Sequence, residues 1–271
     1  MESKPLNETN FCIFIPSYNA GRFLGKTVSR IPWDEIPSDL NTRLVFIDNC
    51  SQDNTWEVIN QLKDELTAQG YRVDALKNET NIGYGGSIKR IYDYCIENDL
   101  GLLAILHADG QYSPEELPRL VGEFRAEPAY KMFYGSRLIK GALEGGMPRY
   151  KYYANIVLTW LQNQIMRSNL SEYHSGYRFY RVEALKPIPY HANSDYFDFD
   201  MEIIFQILHA GYAIGESYIP THYGEEVSHV SPIRTPLGIL ANASAYWLHR
   251  SGLRKDPRYD FEVAQTPASV A

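Results

Sequence analysis

Four short apolar runs, Phe11–Ile15, Leu44–Ile47, Val73–Leu76 and Leu102–Leu106, alternate with helical patterns at Ala20–Arg30, Thr55–Ala68 and Gly85–Glu97. This alternation restricts the fold more than any other feature of the chain. Parallel strands need long crossovers, and a helix is the usual one, so the first half is expected to form a parallel sheet covered by helices. In such α/β sheets ligands sit beyond the carboxyl ends of the strands. Here those ends are polar or turn-forming: Pro16-Ser17-Tyr18-Asn19 after the first, Asp48-Asn49-Cys50-Ser51-Gln52-Asp53 after the second, Asn81-Ile82-Gly83-Tyr84-Gly85-Gly86 after the third, and His107-Ala108-Asp109-Gly110-Gln111 after the fourth. Tips of this kind suit a nucleotide-type ligand.

The fourth tip runs into a helix signal. Ser113 is placed as a cap, Pro114 suits a first helical position, and Glu116 is spaced for a capping box. The second half is less regular. Lys131–Gly135 reads as a strand, and residues 138–150, with Gly141, Gly145, Gly146 and Pro148, as a flexible loop. Ala154–Met166 reads as a helix packed on the sheet, although it is apolar enough to touch a membrane surface. Gly176–Arg181 is a turn leading into a strand, Phe199–His209 a helix, Ile214–Ile219 a strand and Leu237–Leu248 a helix. The tail after Arg254 reads as loosely ordered.

The 271 residues allow one large domain or two small ones. A formal net charge of -7 argues against a general nucleic-acid binder. Cys12, Cys50 and Cys95 match neither a zinc motif nor a disulfide framework, which favours a reducing, cytoplasmic setting. The N-terminal MESKPLNETN lacks signal-peptide character, and no apolar run reaches the roughly 18 residues of a membrane span. Peripheral association at the inner face of a membrane stays open, and the oligomeric state is not legible.

Eight segments, IPSYNA, VFIDNCSQDNT, NIGYGGSIKR, HADGQYSPEEL, YGSRLIKG, EYHSGYR, FDFDMEI and GYAIGESYIP, follow one another from about Phe11 to about Arg234. Together they resemble family 2 glycosyltransferases of the GT-A fold, above all the dolichol-phosphate-mannose-synthase-like branch. The resemblance implies one GT-A domain over residues 1–271. A Rossmann-like nucleotide-sugar-binding half, with a mainly parallel sheet flanked by helices, would span about 11–135 and an acceptor half about 136–250. It also implies a UDP- or GDP-sugar donor, a divalent cation (Mg²⁺ or Mn²⁺) and inversion at the anomeric carbon.

Carried onto this chain, the resemblance places Pro16, Tyr18, Asn19, Asp48, Asn81 and Gly83 at the donor. Asn49 stands where the family often has a second Asp, and for Asp53 a turn or helix-cap role is the alternative. The family's Asp-x-Asp metal motif reads His107-Ala108-Asp109 here, with Gln111 following. Asp109 and Gln111 offer the oxygen donors that Mg²⁺ or Mn²⁺ prefers. Residues 107 and 109 of a strand share a side, so His107 and Ala108 are placed at the donor, with a satisfied strand-end histidine as the alternative. Glu172, four residues before Gly176 where the family has Asp, is the candidate base or acceptor-site carboxylate, and Asp200 its competitor. Arg137, Arg149 and Lys151 are candidates for phosphate contacts on a lid, and His222 for a late metal ligand ahead of His229.

An already ionised polyprenyl-phosphate acceptor would need no base, whereas a lipid-linked or soluble hydroxyl acceptor would. A non-catalytic nucleotide-sugar-binding protein on the same fold is the alternative to an enzyme, with His107 as its signature. A dehydrogenase would want Gly-x-Gly-x-x-Gly after the first strand, where this chain has Pro-Ser-Tyr-Asn.

Overall fold

The computed structural model describes residues 5–139, 147–220 and 234–262. His222 and His229 lie outside the described residues, as does most of the 138–150 loop. The side chain of Lys151 is likewise outside them.

The predicted alternation is present. β1 (Asn10–Ser17), α1 (Gly21–Ser29), β2 (Asn41–Asp48), α2 (Thr55–Ala68), β3 (Arg72–Lys77), α3 (Gly83–Glu97) and β4 (Leu102–Ile105) follow in order. Next come α4 (Leu117–Ala126), β5 (Tyr130–Ser136), α5 (Arg149–Met166), β6 (Arg178–Arg181), α6 (Phe199–His209), β7 (Ala213–Tyr218) and α7 (Arg234–Arg250). The strands form one seven-stranded sheet in the order β3-β2-β1-β4-β6-β5-β7. β1 pairs in parallel with β2 and β4, and β5 with β7; β6 alone runs antiparallel, between β4 and β5.

β1 shows why such strands read as continuous apolar runs. Phe11, Ile13 and Ile15 enter the core on one face of the sheet with Leu24, Ile59 and Leu120. Cys12 and Phe14 enter the other with Ile91, Tyr180 and Phe205. A strand covered on both faces has no polar side to present. Strand order reverses between β1 and β4, and at such a switch point the flanking loops part and leave a crevice.

Three local expectations change. Ser113 makes no side-chain capping bond; Pro114–Glu116 is a 3-10 turn and α4 starts only at Leu117. The capping box fails because Arg119 holds the Glu116 carboxylate at 2.6 and 2.8 Å while also reaching Ser217 and the Tyr218 carbonyl at the end of β7. α5 starts at Arg149, so Arg149 opens a helix instead of closing a loop, and the helix packs on α6 and α7. The tail is also not loose as far as residue 262. Tyr259 is buried, Arg258 donates to Glu202 and Asn242 at 2.6 Å, and Gln206 of α6 donates to the Arg258 carbonyl.

Candidate active site

The crevice is walled on one side by the β1 and β2 tips. Asp48 is fully buried at the end of β2. Its Oδ1 accepts from the Ser51 N–H at 3.1 Å, whereas Oδ2 is buried without a hydrogen bond, the Lys77 ammonium standing 3.9 Å away. An orphaned buried carboxylate oxygen is costly, which makes Asp48 Oδ2 a candidate acceptor for a ligand donor. Pro16 is half-buried at the end of β1 and Tyr18 is half exposed beyond it. Asn19 takes a positive φ of 50° and accepts from the Gln52 N–H at 2.8 Å, which ties the two tips together.

Asn49 explains itself where its family counterpart would be an acid. Its amide donates to Asn81 Oδ1 (2.9 Å) and to the Gly83 carbonyl (3.2 Å), and accepts from Asn78 and from the Ile82 N–H. An aspartate could make only the accepting half. Asn49 thus fixes the β3–α3 loop, placing Asn81 and Gly83 beside Asp48. Gly83 has a φ of +77°, and a side chain there would strike the Asp195 carbonyl. Asp53 takes its alternative role: it accepts from the Gly21 N–H, and from the Thr55 N–H at 3.0 Å at the start of α2.

The β4 tip holds the candidate cation ligands. Asp109 Oδ1 accepts from the Gln111 N–H at 3.1 Å across Gly110, whose φ is +69°, so the carboxylate is braced at the strand end. Ala108 is buried and its carbonyl accepts from Thr27 at 2.7 Å. Asp109 and Gln111 supply hard oxygen donors, which fits Mg²⁺ or Mn²⁺. Among the described residues no three His, Cys, Asp or Glu side chains gather as a metal cluster, so the cation would need ligand phosphate oxygens to fill its shell.

His107 is a wall of the site. Its ring packs edge-on to Tyr112, and Nε2 lies 3.4 Å from the Tyr84 hydroxyl. Gly176 presses on it so closely that a Cβ would come within 2.5 Å of Nε2. Burial pulls the imidazole pKa down, against the opposing pull of Asp109 and Asp200.

Across the crevice stand two carboxylate–guanidinium pairs. Glu172 is fully buried and accepts from Arg137 at three donors: the backbone N–H (3.1 Å), Nε (3.1 Å) and Nη2 (2.8 Å). The same Nη2 reaches the His174 carbonyl. Asp200 at the start of α6 pairs with Arg178 at 3.1 Å, and the Tyr84 hydroxyl lies 3.4 Å away. Burial pushes the Asp200 carboxyl up, opposed by Arg178, His107 and Tyr84.

Arg178 was not singled out from the sequence, yet it organises this wall. It is fully buried on β6 and donates to the carbonyls of Tyr173, Ser175 and Asp200. Its only sequence signal is an arginine inside a strand. Tyr84 and Tyr112 were also missed. Tyr84 bridges His107 and Asp200, and the Tyr112 hydroxyl accepts from the Gly176 N–H at 2.7 Å. Arg149 is exposed at the head of α5, and no described contact brings it to the crevice.

A mainly parallel sheet flanked by helices and opened at its switch point is the GT-A fold. The family described as Glycosyl transferase family 2 matches residues 12–188, and the chain belongs to it, on the dolichol-phosphate-mannose-synthase-like branch. It is 27% identical to the undecaprenyl-phosphate mannosyltransferase of Micrococcus luteus over 78% of this chain and 84% of that protein. It is 25% identical to the polyprenol monophosphomannose synthase of Mycolicibacterium smegmatis over 81% of this chain and 79% of that protein. Among solved structures, the glucosyl-3-phosphoglycerate synthase of Mycobacterium tuberculosis in complex with Mn²⁺, UDP and glucosyl-3-phosphoglycerate superposes with a TM-score of 0.57 at 14% identity. That match covers 97% of this chain and 88% of that one. The chain is therefore a glycosyltransferase.

Proposed function

We propose that this enzyme transfers a glycosyl residue, with inversion, from a nucleotide-diphosphate sugar to a polyprenyl phosphate. One observation carries the choice of acceptor: both carboxylates near the crevice are held by arginines, Glu172 by Arg137 and Asp200 by Arg178. Carboxylate oxygens already engaged by a guanidinium are poorly placed to take a hydroxyl proton, whereas a phosphate acceptor arrives ionised and needs no base. The lipid-phosphate acceptors named for the Micrococcus and Mycolicibacterium relatives support the same reading.

In this reading Asp48 Oδ2 accepts from the donor's base or ribose, with Tyr18, Asn19, Asn81 and Gly83 around the nucleoside. Asp109 and Gln111 hold the divalent cation, which when bound neutralises charge on the leaving diphosphate. His107, packed between Tyr84, Tyr112 and Gly176, lines the sugar side. Arg137 and Arg178, each paired with a carboxylate, line the acceptor wall with guanidinium donors that a phosphate can share. An acceptor phosphate oxygen bonds to the anomeric carbon as the bond to the diphosphate breaks, and no proton has to move.

The test compares a polyprenyl phosphate with the matching polyprenol, using UDP- and GDP-sugars with Mg²⁺ or Mn²⁺ and following nucleotide diphosphate release. Release with the phosphate and none with the alcohol is expected. Equal transfer to the alcohol would overturn the acceptor reading. Asp109→Ala should abolish metal-dependent donor binding; retained binding would remove Asp109 from the cation.

A further inference from the structure

We infer that Arg258 is a positioning residue for nucleotide-sugar binding: from the far end of the chain it holds, through α6, the backbone segment that braces the head of α3. The inference rests on the reading that the β3–α3 loop faces the donor.

Arg258 lies well beyond residue 188, where the family match ends. Its guanidinium is oriented from its own segment. Asp256 accepts from Nε at 2.9 Å and from Nη2 at 2.6 Å, and the neighbouring Tyr259 is buried against Tyr246 and His209. Nη1 is left to donate to Glu202 of α6 and Asn242 of α7, each at 2.6 Å.

Two bridges then cross α6. Glu202 and Gln206 stand one helical turn apart and share a face. The Glu202 carboxylate takes Arg258 on Oε1 and the Ser194 N–H on Oε2, the latter at 2.7 Å. Gln206 donates to the Arg258 carbonyl at 2.8 Å, and its Oε1 accepts from the Asn193 amide at 2.7 Å. Glu202, Gln206 and Asn193 are all buried, so losing a partner is costly for each. One tail residue thereby fixes two consecutive residues on the other side of the helix.

Those residues lead into a segment fitted to α3. The Ser194 and Asp195 carbonyls lie so close to Gly85 and Gly83 that a Cβ would stand 2.4 and 2.1 Å from them. The Asp195 carbonyl accepts from the Gly86 N–H at 3.3 Å, and Lys89 of α3 donates to the Asp195 carboxylate at 2.7 Å. Phe197 stacks on Tyr84, with ring centroids 5.2 Å apart. Gly83 and Tyr84 in turn belong to the crevice: Asn49 donates to the Gly83 carbonyl, and the Tyr84 hydroxyl lies 3.4 Å from both His107 and Asp200. A helix that starts on glycines has little side-chain packing of its own there, and glycine lets another backbone approach closely. What presses on it here is the 194–195 backbone, and Arg258 determines where that backbone lies.

The full chain should be compared as wild type, Arg258→Gln, Arg258→Lys, Glu202→Gln and Arg258→Gln/Glu202→Gln. UDP and GDP affinity would be measured by calorimetry, and transfer kinetics with the nucleotide sugar and the polyprenyl phosphate varied in turn. Arg258→Gln should raise the donor KM and the nucleotide diphosphate Kd about tenfold, with kcat and the acceptor KM unchanged. Arg258→Lys keeps the cation but loses the planar fork, and should fall between Arg258→Gln and wild type. The double variant should lose no more than the larger single loss, because both changes break one bridge. Val121→Ala, in the core on the other face of the sheet, lowers stability without touching the bridge and should leave the donor KM alone. Arg258 variants that bind nucleotide diphosphate like wild type would overturn the proposal, as would Val121→Ala weakening donor binding equally. If Arg258→Gln does not fold, Arg258→Lys decides by the same measurements. A wild type that binds neither UDP nor GDP would remove the donor reading and this inference together; normal wild-type binding with unaffected variants removes this inference alone.

Discussion

Asn49 shows how one amide can take over a position usually given to an acid. It gives up a charge at the β2 tip in exchange for two donated hydrogen bonds that hold Asn81 and Gly83. Asn49→Asp should cost roughly 1–3 kcal/mol, the usual range for leaving buried polar groups unpaired. It should also weaken nucleotide diphosphate binding, because the β3–α3 loop loses its brace. Urea unfolding and calorimetric titration would check the two effects, and a stable variant with unchanged affinity would contradict this role. At this scale the sequence was legible wherever a residue works through its own strand tip. Asp48, Asp109 and Gln111 stand at the strand ends where the sequence puts them, in the roles proposed above. Arg178, Tyr84 and Tyr112 were missed, because their importance comes from partners far along the chain: Arg178 meets Asp200, and Tyr84 meets both His107 and Asp200. Spacing carries no record of such pairings.

Elements were readable where burial is two-sided and obscured where side chains are shared between elements. The first four strands and three helices stand close to their predicted bounds, because continuous apolar runs and amphipathic stretches are strong local signals. The cap at Ser113 failed for a reason no local pattern holds: Arg119 takes the Glu116 carboxylate and ties α4 to β7. At the head of α2 the local reading succeeds, since Asp53 accepts from the Thr55 N–H. Asp53→Ala should therefore lower stability by about 1 kcal/mol, as loss of hydrogen bonds in a turn does, while leaving donor affinity intact. A lower melting temperature with an unchanged nucleotide titration is the expected pair of results. Equal loss in both would return Asp53 to the donor site.

The whole molecule has a pH signature set by buried histidines. Burial, with Arg137 and Arg178 nearby, holds the His174 pKa down at about 4. In the unfolded chain a histidine titrates near 6.5. Between those values the unfolded state binds the extra proton, so stability is full above about 6.5 and falls as the pH drops toward 4. His107 and His209 are shifted in the same direction. His174→Gln should flatten the dependence of melting temperature on pH across that window without removing it; an unchanged slope would show that His174 does not titrate as its surroundings demand. One feature of the topology has a mechanical consequence. Because β6 is hydrogen-bonded to β4 on one side and β5 on the other, the strand that ends in Asp109's turn and the strand that ends in Arg137 belong to one ladder. The Asp109 edge and the Arg137 edge of the crevice cannot swing apart like jaws without tearing the sheet. Substrate entry and product escape must then be timed by segments outside the ladder, and turnover should respond more to changes in those segments than to any stiffening of the frame.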